Sequence, residues 1–176
     1  SEIEKVLEEL RELVKKAVTD LRRIIEESKR LADEAAKALK DIIRRSEELA
    51  DRLRKEIRGR EVLEEAKKKL DTSNRDAERL VRELKERLDD SHRRLEELVK
   101  RLKDDLDRIL EELKGTDEKL ARELEDVVRK VKETLDRLLE EHKEIIERIK
   151  RTLDKLLKEH NEIVERIKRD LDRRRK

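Results

Sequence analysis

Residues 134–151 read TLDRLLEEHKEIIERIKR, and residues 152–169 read TLDKLLKEHNEIVERIKR. The period is 18 residues, which is five turns at 3.6 residues per turn, the winding of an undistorted α-helix. A heptad repeat would force a left-handed supercoil and an 11-residue repeat a right-handed one. An 18-residue period therefore predicts helices whose apolar stripe runs along the axis with little or no twist. The same period recurs upstream. Ile24, Ile25, Ser28, Leu31, Ala32 and Ala35 return as Ile42, Ile43, Ser46, Leu49, Ala50 and Leu53. Ser73, Ala77, Leu80, Val81, Leu84 and Leu88 return as Ser91, Leu95, Leu98, Val99, Leu102 and Leu106. A solenoid is not expected, because the repeat lies inside continuous helices rather than marking separate helix pairs.

Helix breakers are almost absent: the chain has no Pro and only two Gly in 176 residues. Gly is the usual residue just past a helix end, where it adopts left-handed dihedrals without strain. Gly59 and Gly115 thus divide the chain into helices at about 2–58, 60–114 and 116–175. Ser1 with Glu4 forms a capping-box pattern. Thr116, followed by Asp117 and Glu118, is expected to start the third helix. The stretch Asp71-Thr72-Ser73-Asn74-Arg75-Asp76 reads as a loop by local composition. It is in phase with a clearly helical copy, however, so a continuous helix is predicted there. The expected fold is all-α: one domain, 1–176, forming a monomeric, antiparallel, nearly untwisted three-helix bundle.

Charged residues make up 57% of the chain, against about 25% in an ordinary domain. High charge with few apolar residues can mean disorder. Here the net charge is only +2, and the 34% of residues that are hydrophobic fall on strict helical spacing. That balance argues against nucleic acid as a partner, which calls for a basic stripe. The basic run Arg173, Arg174, Arg175 and Lys176 suits the negative end of a helix dipole. There is no Cys, hence no disulfide and no thiolate ligand. No apolar run reaches the ~18 residues of a membrane span. Ser1 to Leu10 carries charge throughout, unlike a secretion signal. No cofactor and no partner are expected.

Polar residues interrupt the apolar stripes at matched places: Ser28 and Ser46, Ser73 and Ser91, His142 and His160. In an antiparallel hairpin, residues equally distant from the turn lie side by side. Ser28 and Ser91 are equidistant from the Gly59 turn, as are Ser46 and Ser73. Ser91 and His142 are equidistant from a point beside Gly115–Thr116, as are Ser73 and His160. Ser28, Ser91 and His142 should therefore form one layer, and Ser46, Ser73 and His160 another. The next copy is apolar: Leu10, Ile109 and Leu124. A buried imidazole and two hydroxyls can satisfy one another's donors and acceptors. Left alone, each group would cost about 1–3 kcal/mol. The gain is register, since slipping one helix would break both layers. Asn74 and Asn161 are placed to extend the second layer. His92, one residue past Ser91, is expected at the surface near Glu141 or Lys143. Thr134 and Thr152 read as boundary positions, and the alanines of the first helix as allowing close approach.

Other chemistry fits these layers poorly. One imidazole and two hydroxyls fall short of the three or four ligands zinc takes. A Ser-His pair without an orienting acid, oxyanion hole or substrate pocket is no nucleophile system. No catalytic residue is assigned. A pH switch is the sharper alternative: burial disfavours the imidazolium and should lower the pKa below about 6.5.

The 18-residue repeat, the Glu/Lys/Arg surface, the Gly turns and the duplicated Ser-Ser-His layers together resemble computationally designed helical bundles. They are similar in particular to parametric straight three-helix bundles with modular buried hydrogen-bond networks. That resemblance implies high stability, no evolved activity, no metal or cofactor, and soluble expression in the cytoplasm. A spectrin-like spacer and an amphipathic lipid binder are the natural alternatives; both usually carry core aromatics, and this chain has none.

Overall fold

The computed structural model describes residues 2–56 and 60–174. Three α-helices account for all of these residues except Asp117: α1 (Glu2–Glu56), α2 (Arg60–Thr116) and α3 (Glu118–Arg174). The chain is a three-helix bundle. Residues 71–76 lie within α2, so the phase of the repeat prevails over the turn-like local composition. The Gly59 turn, Ser1 of the capping box and the last two residues of the basic tail lie outside the described residues.

The α2–α3 turn differs from expectation by one or two residues. Gly115 and Thr116 still belong to α2, and Gly115 does not adopt positive φ. The turn falls on Asp117. Its backbone N–H donates to the Leu113 carbonyl at 2.7 Å, its carbonyl accepts from Ala121, and its carboxylate accepts the Leu120 N–H at 3.1 Å. Asp117 is thus the N-cap of α3, and its charge faces the positive end of the helix dipole. Thr116 cannot take that role, because its hydroxyl donates back to the Glu112 carbonyl at 3.1 Å. Thr19, Thr72, Thr134 and Thr152 do the same with the carbonyl four residues earlier. Each hydroxyl is satisfied within its own helix, which explains why threonine sits harmlessly beside the stripe.

The chain packs as two compact units, each drawing on all three helices. The first comprises Ser1–Lys29 with Leu88–Glu147, and the second Arg30–Arg87 with Arg148–Lys176. In the first, Ala17, Leu21, Leu95, Val99, Val128 and Leu135 are buried together, and Val6, Ile109, Leu113 and Ala121 close the end at the Asp117 turn. In the second, Ala50, Leu63, Leu70, Val164, Ile167 and Leu171 form the buried cluster.

Within each unit α2 and α3 run antiparallel, as their cross-helix ion pairs show. Lys103 pairs with Asp136 and Asp107 with Lys132 in the first. Lys67 pairs with Asp172 at 2.6 Å, and Asp71 with Lys168 and Lys85 with Asp154, in the second. Lys67, Lys85 and Lys103 are one repeat apart, as are their aspartates. These long side chains bridge the helices above the core while their stems cover apolar surface. Asp71 holds the Lys168 ammonium above the ordinary lysine range by accepting its hydrogen bond.

Candidate functional site: two buried Ser-Ser-His layers

Helical spacing places each polar residue on the apolar face of its helix. In the first unit, Ser28, Ser91 and His142 are 2%, 0% and 3% exposed. Ser28 is the hub. Its hydroxyl lies 3.0 Å from that of Ser91 and 3.1 Å from Nε2 of His142.

His92 is not at the surface near Glu141 or Lys143; it belongs to the layer. Its Nδ1 lies 2.9 Å from Nδ1 of His142, and the two rings meet edge to edge, nearly coplanar, with centroids 5.2 Å apart and planes 11° from parallel. Its Nε2 lies 3.0 Å from the Glu96 carboxylate. The reason is geometric: one step past Ser91 turns the side chain toward α3, where the imidazole can meet the edge of His142. A signal for this was present. His92 occupies the position that Asn74 holds one repeat earlier, and Asn74 had been placed in its layer.

The partners fix the direction of the hydrogen bonds. A carboxylate only accepts, so Nε2 of His92 carries a proton. In a neutral His92, Nδ1 then accepts, and Nδ1 of His142 must donate to it. Nε2 of His142 accepts from Ser28, which in turn accepts from Ser91. The result is a single chain of donors, Ser91 to Ser28 to His142 to His92 to Glu96, leading from the core to the surface. Burial first, and the His92 charge second, push the pKa of His142 down to about 4.

The second unit brings Ser46, Ser73 and His160 together with a different hub. The Ser73 hydroxyl lies 3.0 Å from that of Ser46 and 3.4 Å from Nε2 of His160. His160 is fully enclosed, and burial lowers its pKa. Its Nδ1 and the buried side-chain oxygens of Asn74 and Asn161 make no well-aligned hydrogen bond, although Asn161 lies close enough to His160 to oppose the fall in its pKa. The asparagines therefore flank the layer without completing it through those atoms. One buried ring nitrogen of His160 is thus left with at best a weak contact to Asn161, which costs part of the ~1–3 kcal/mol of an unsatisfied buried group.

The chemistry open to these layers is narrow. Each offers hydroxyls and neutral imidazole in a filled core. Among the described residues, no three His, Cys, Asp or Glu side chains are grouped to hold a metal ion, and no helix is long and apolar enough to cross a membrane.

No protein-family model and no curated protein matches the chain. Among solved structures it is similar to a computationally designed three-helix bundle. The TM-score is 0.54 at 20% identity, over 97% of this chain and 86% of that one. At that identity the likeness speaks to architecture alone: the chain shares the fold of a designed three-helix bundle.

Proposed function

We propose that the chain is a designed structural scaffold with no natural biochemical activity, monomeric and folding as one domain. Its Ser-Ser-His layers set the register of the helices. The observation that carries this reading is the matched pair of hydrogen-bonded sets, one serine from each of α1 and α2 and one histidine from α3, in each unit. Buried polar groups cost stability and are worth including where they discriminate against wrong packings. Catalysis finds no support here, since neither layer joins a nucleophile, an orienting acid and a substrate cavity.

Double electron–electron resonance between spin labels on α1 and α3 tests the role. Replacing all six layer residues by Leu or Val should broaden the distance distribution and add a second population. An unchanged, single narrow distribution would refute a register function. Denaturant melts on the same proteins should show one transition; two would refute the single-domain reading.

A pH-responsive bundle is the second reading. The depressed pKa of His142 and its contact with His92 favour it. Protonating His142 makes its Nε2 a donor, which would reverse the hydrogen bonds running from Ser28 back to Ser91.

A further inference from the structure

The exposed large hydrophobic side chains of the described residues all belong to the first unit. Leu7, Val14 and Val18 lie on α1, and Val127, Leu138 and Ile145 on α3, each at least 36% exposed. Their spacing is not random. Leu7, Val14, Val18 and Ile25 are separated by 7, 4 and 7 residues, and so are Val127, Thr134, Leu138 and Ile145. That is the pattern of a helix seam waiting for a partner helix. Between the two seams runs an apolar groove of about 360 Å3, whose floor includes Leu102 and Leu106 of α2.

The repeat supplies an internal contrast. One period on, Ala32 and Ala36 replace Val14 and Val18, and the matching α3 residues Leu156 and Ile163 are only half-exposed. There small side chains stand where the first unit has exposed valines, and the apolar row is less exposed.

The rim of the groove carries a sign. Arg11, Lys15 and Arg22 stand three or four residues from Val14 and Val18, so they neighbour them on the helix surface. Lys130 and Arg137 stand likewise beside Val127 and Thr134. All five are exposed. Three acids interrupt the rim, Glu4 beside Leu7, Glu123 beside Val127 and Glu141 beside Leu138, all toward the ends of the groove. A second copy of this chain would face basic rim with basic rim, which like-charge repulsion disfavours. A concave groove with a helical floor also fits a cylinder better than a flat lipid surface.

We infer that the α1–α3 groove of the first unit is a docking face for one amphipathic helix of another chain, apolar along one seam and flanked by carboxylates. The docked helix spans about 18–25 residues, matching the length of the seams. This adds a binding face to the scaffold reading and does not rest on it.

The test uses the full chain and two synthetic helical peptides of roughly 25 residues. Both carry Leu at the 7-4-7 spacing; one has Glu and the other Lys at the flanking positions. Titration calorimetry should show the Glu peptide binding at least about tenfold tighter, with affinity falling as salt rises. Arg22→Glu with Lys130→Glu, which leaves the apolar seam intact, should invert the preference. Val18→Asp with Leu138→Asp should abolish binding of both peptides with helix content unchanged. Equal binding of the two peptides, or binding of neither, overturns the inference. So does concentration-dependent dimerisation that blocks the groove, or capture by anionic phosphatidylserine vesicles in place of the peptide.

Discussion

The two units use one sequence period and reach different ends. In the first, the polar layer is threaded through His142 and His92 to Glu96, and every nitrogen of both imidazoles has a partner. In the second, the layer stops at a buried His160 Nδ1 with no well-aligned one. The first unit leaves an apolar seam open between α1 and α3; the second covers its copy. The period delivers each residue to the same place on its helix. The neighbours one position away, His92 for Asn74 and Val18 for Ala36, decide whether the layer closes and whether the seam is covered. Repetition in sequence copies positions, not environments.

The sharpest way to break this comparison is at the hubs. Ser28→Ala strips partners from both Ser91 and His142 and should cost about 2–3 kcal/mol in denaturant melts. Ser46→Ala leaves Ser73 bonded to His160 and should cost about 1 kcal/mol. The roles reverse on α2: Ser73→Ala should be the expensive change and Ser91→Ala the cheap one. Equal costs for Ser28 and Ser46 would mean that the two layers share one topology.

Acid separates the units next. His142 is neutral in the folded chain down to about pH 4, whereas an unfolded histidine takes its proton near 6.5. The unfolded state thus binds more protons between those values. Stability is full above pH 6.5, falls as pH drops toward 4, and levels off below it as the folded state also protonates. Allowing for solvent reached through His92 and Glu96, the loss is about 2 kcal/mol. Comparison with His142→Leu isolates it from carboxylate titration, and NMR of the ring protons reports the residue directly. A His142 that titrates near 6.5 would remove the effect.

Smaller effects sharpen the contrast. Asn161→Leu deletes a buried oxygen with no well-aligned partner from the second unit, at the loss of a weak contact with His160, and should raise stability by less than about 1 kcal/mol. Lys143→Leu, its counterpart one repeat earlier, lies in the exposed row and should change little. Least of all, Val127→Thr should fall within about 0.5 kcal/mol of the parent, since the valine is 51% exposed. Ile163→Thr, at the equivalent but packed position, should exceed it. Thermal melts order all four, and a reversed order would show that the seam of the first unit is covered in solution.

Much of this architecture was legible in the sequence, because it rests on period and symmetry. Phase predicted helix through residues 71–76 against local composition, and equidistance from the turns paired Ser28 with Ser91 and Ser73 with His160. What lay beyond reach depended on side-chain reach rather than position. The choice of hub turns on fractions of an ångström between hydroxyls at one height. His92 sits one residue off the pairing rule, yet its ring is long enough to reach the edge of His142. The turn fell to Asp117 because a carboxylate caps a helix while the Thr116 hydroxyl was already spent on its own helix. The open seam was hidden for another reason: periodicity marks residues as apolar without saying which pair of helices covers them.

The Lys–Asp contacts between α2 and α3 recur with the repeat, and a periodic set of contacts is blind to a slip of one whole period, about 27 Å. Such a slip would re-form most of the ladder with the wrong partners. On the proposed register role, what distinguishes the correct alignment is the departure from periodicity. The third copy of the layer, Leu10, Ile109 and Leu124, is apolar and packs at the end of the first unit. Slid by one repeat, a serine or histidine would meet leucine or isoleucine and lose its hydrogen bonds. If the layers set register as proposed, the three work as an uneven set of keys: two polar and one greasy, they would fit in only one order, and that order would count whole periods where the ladder cannot.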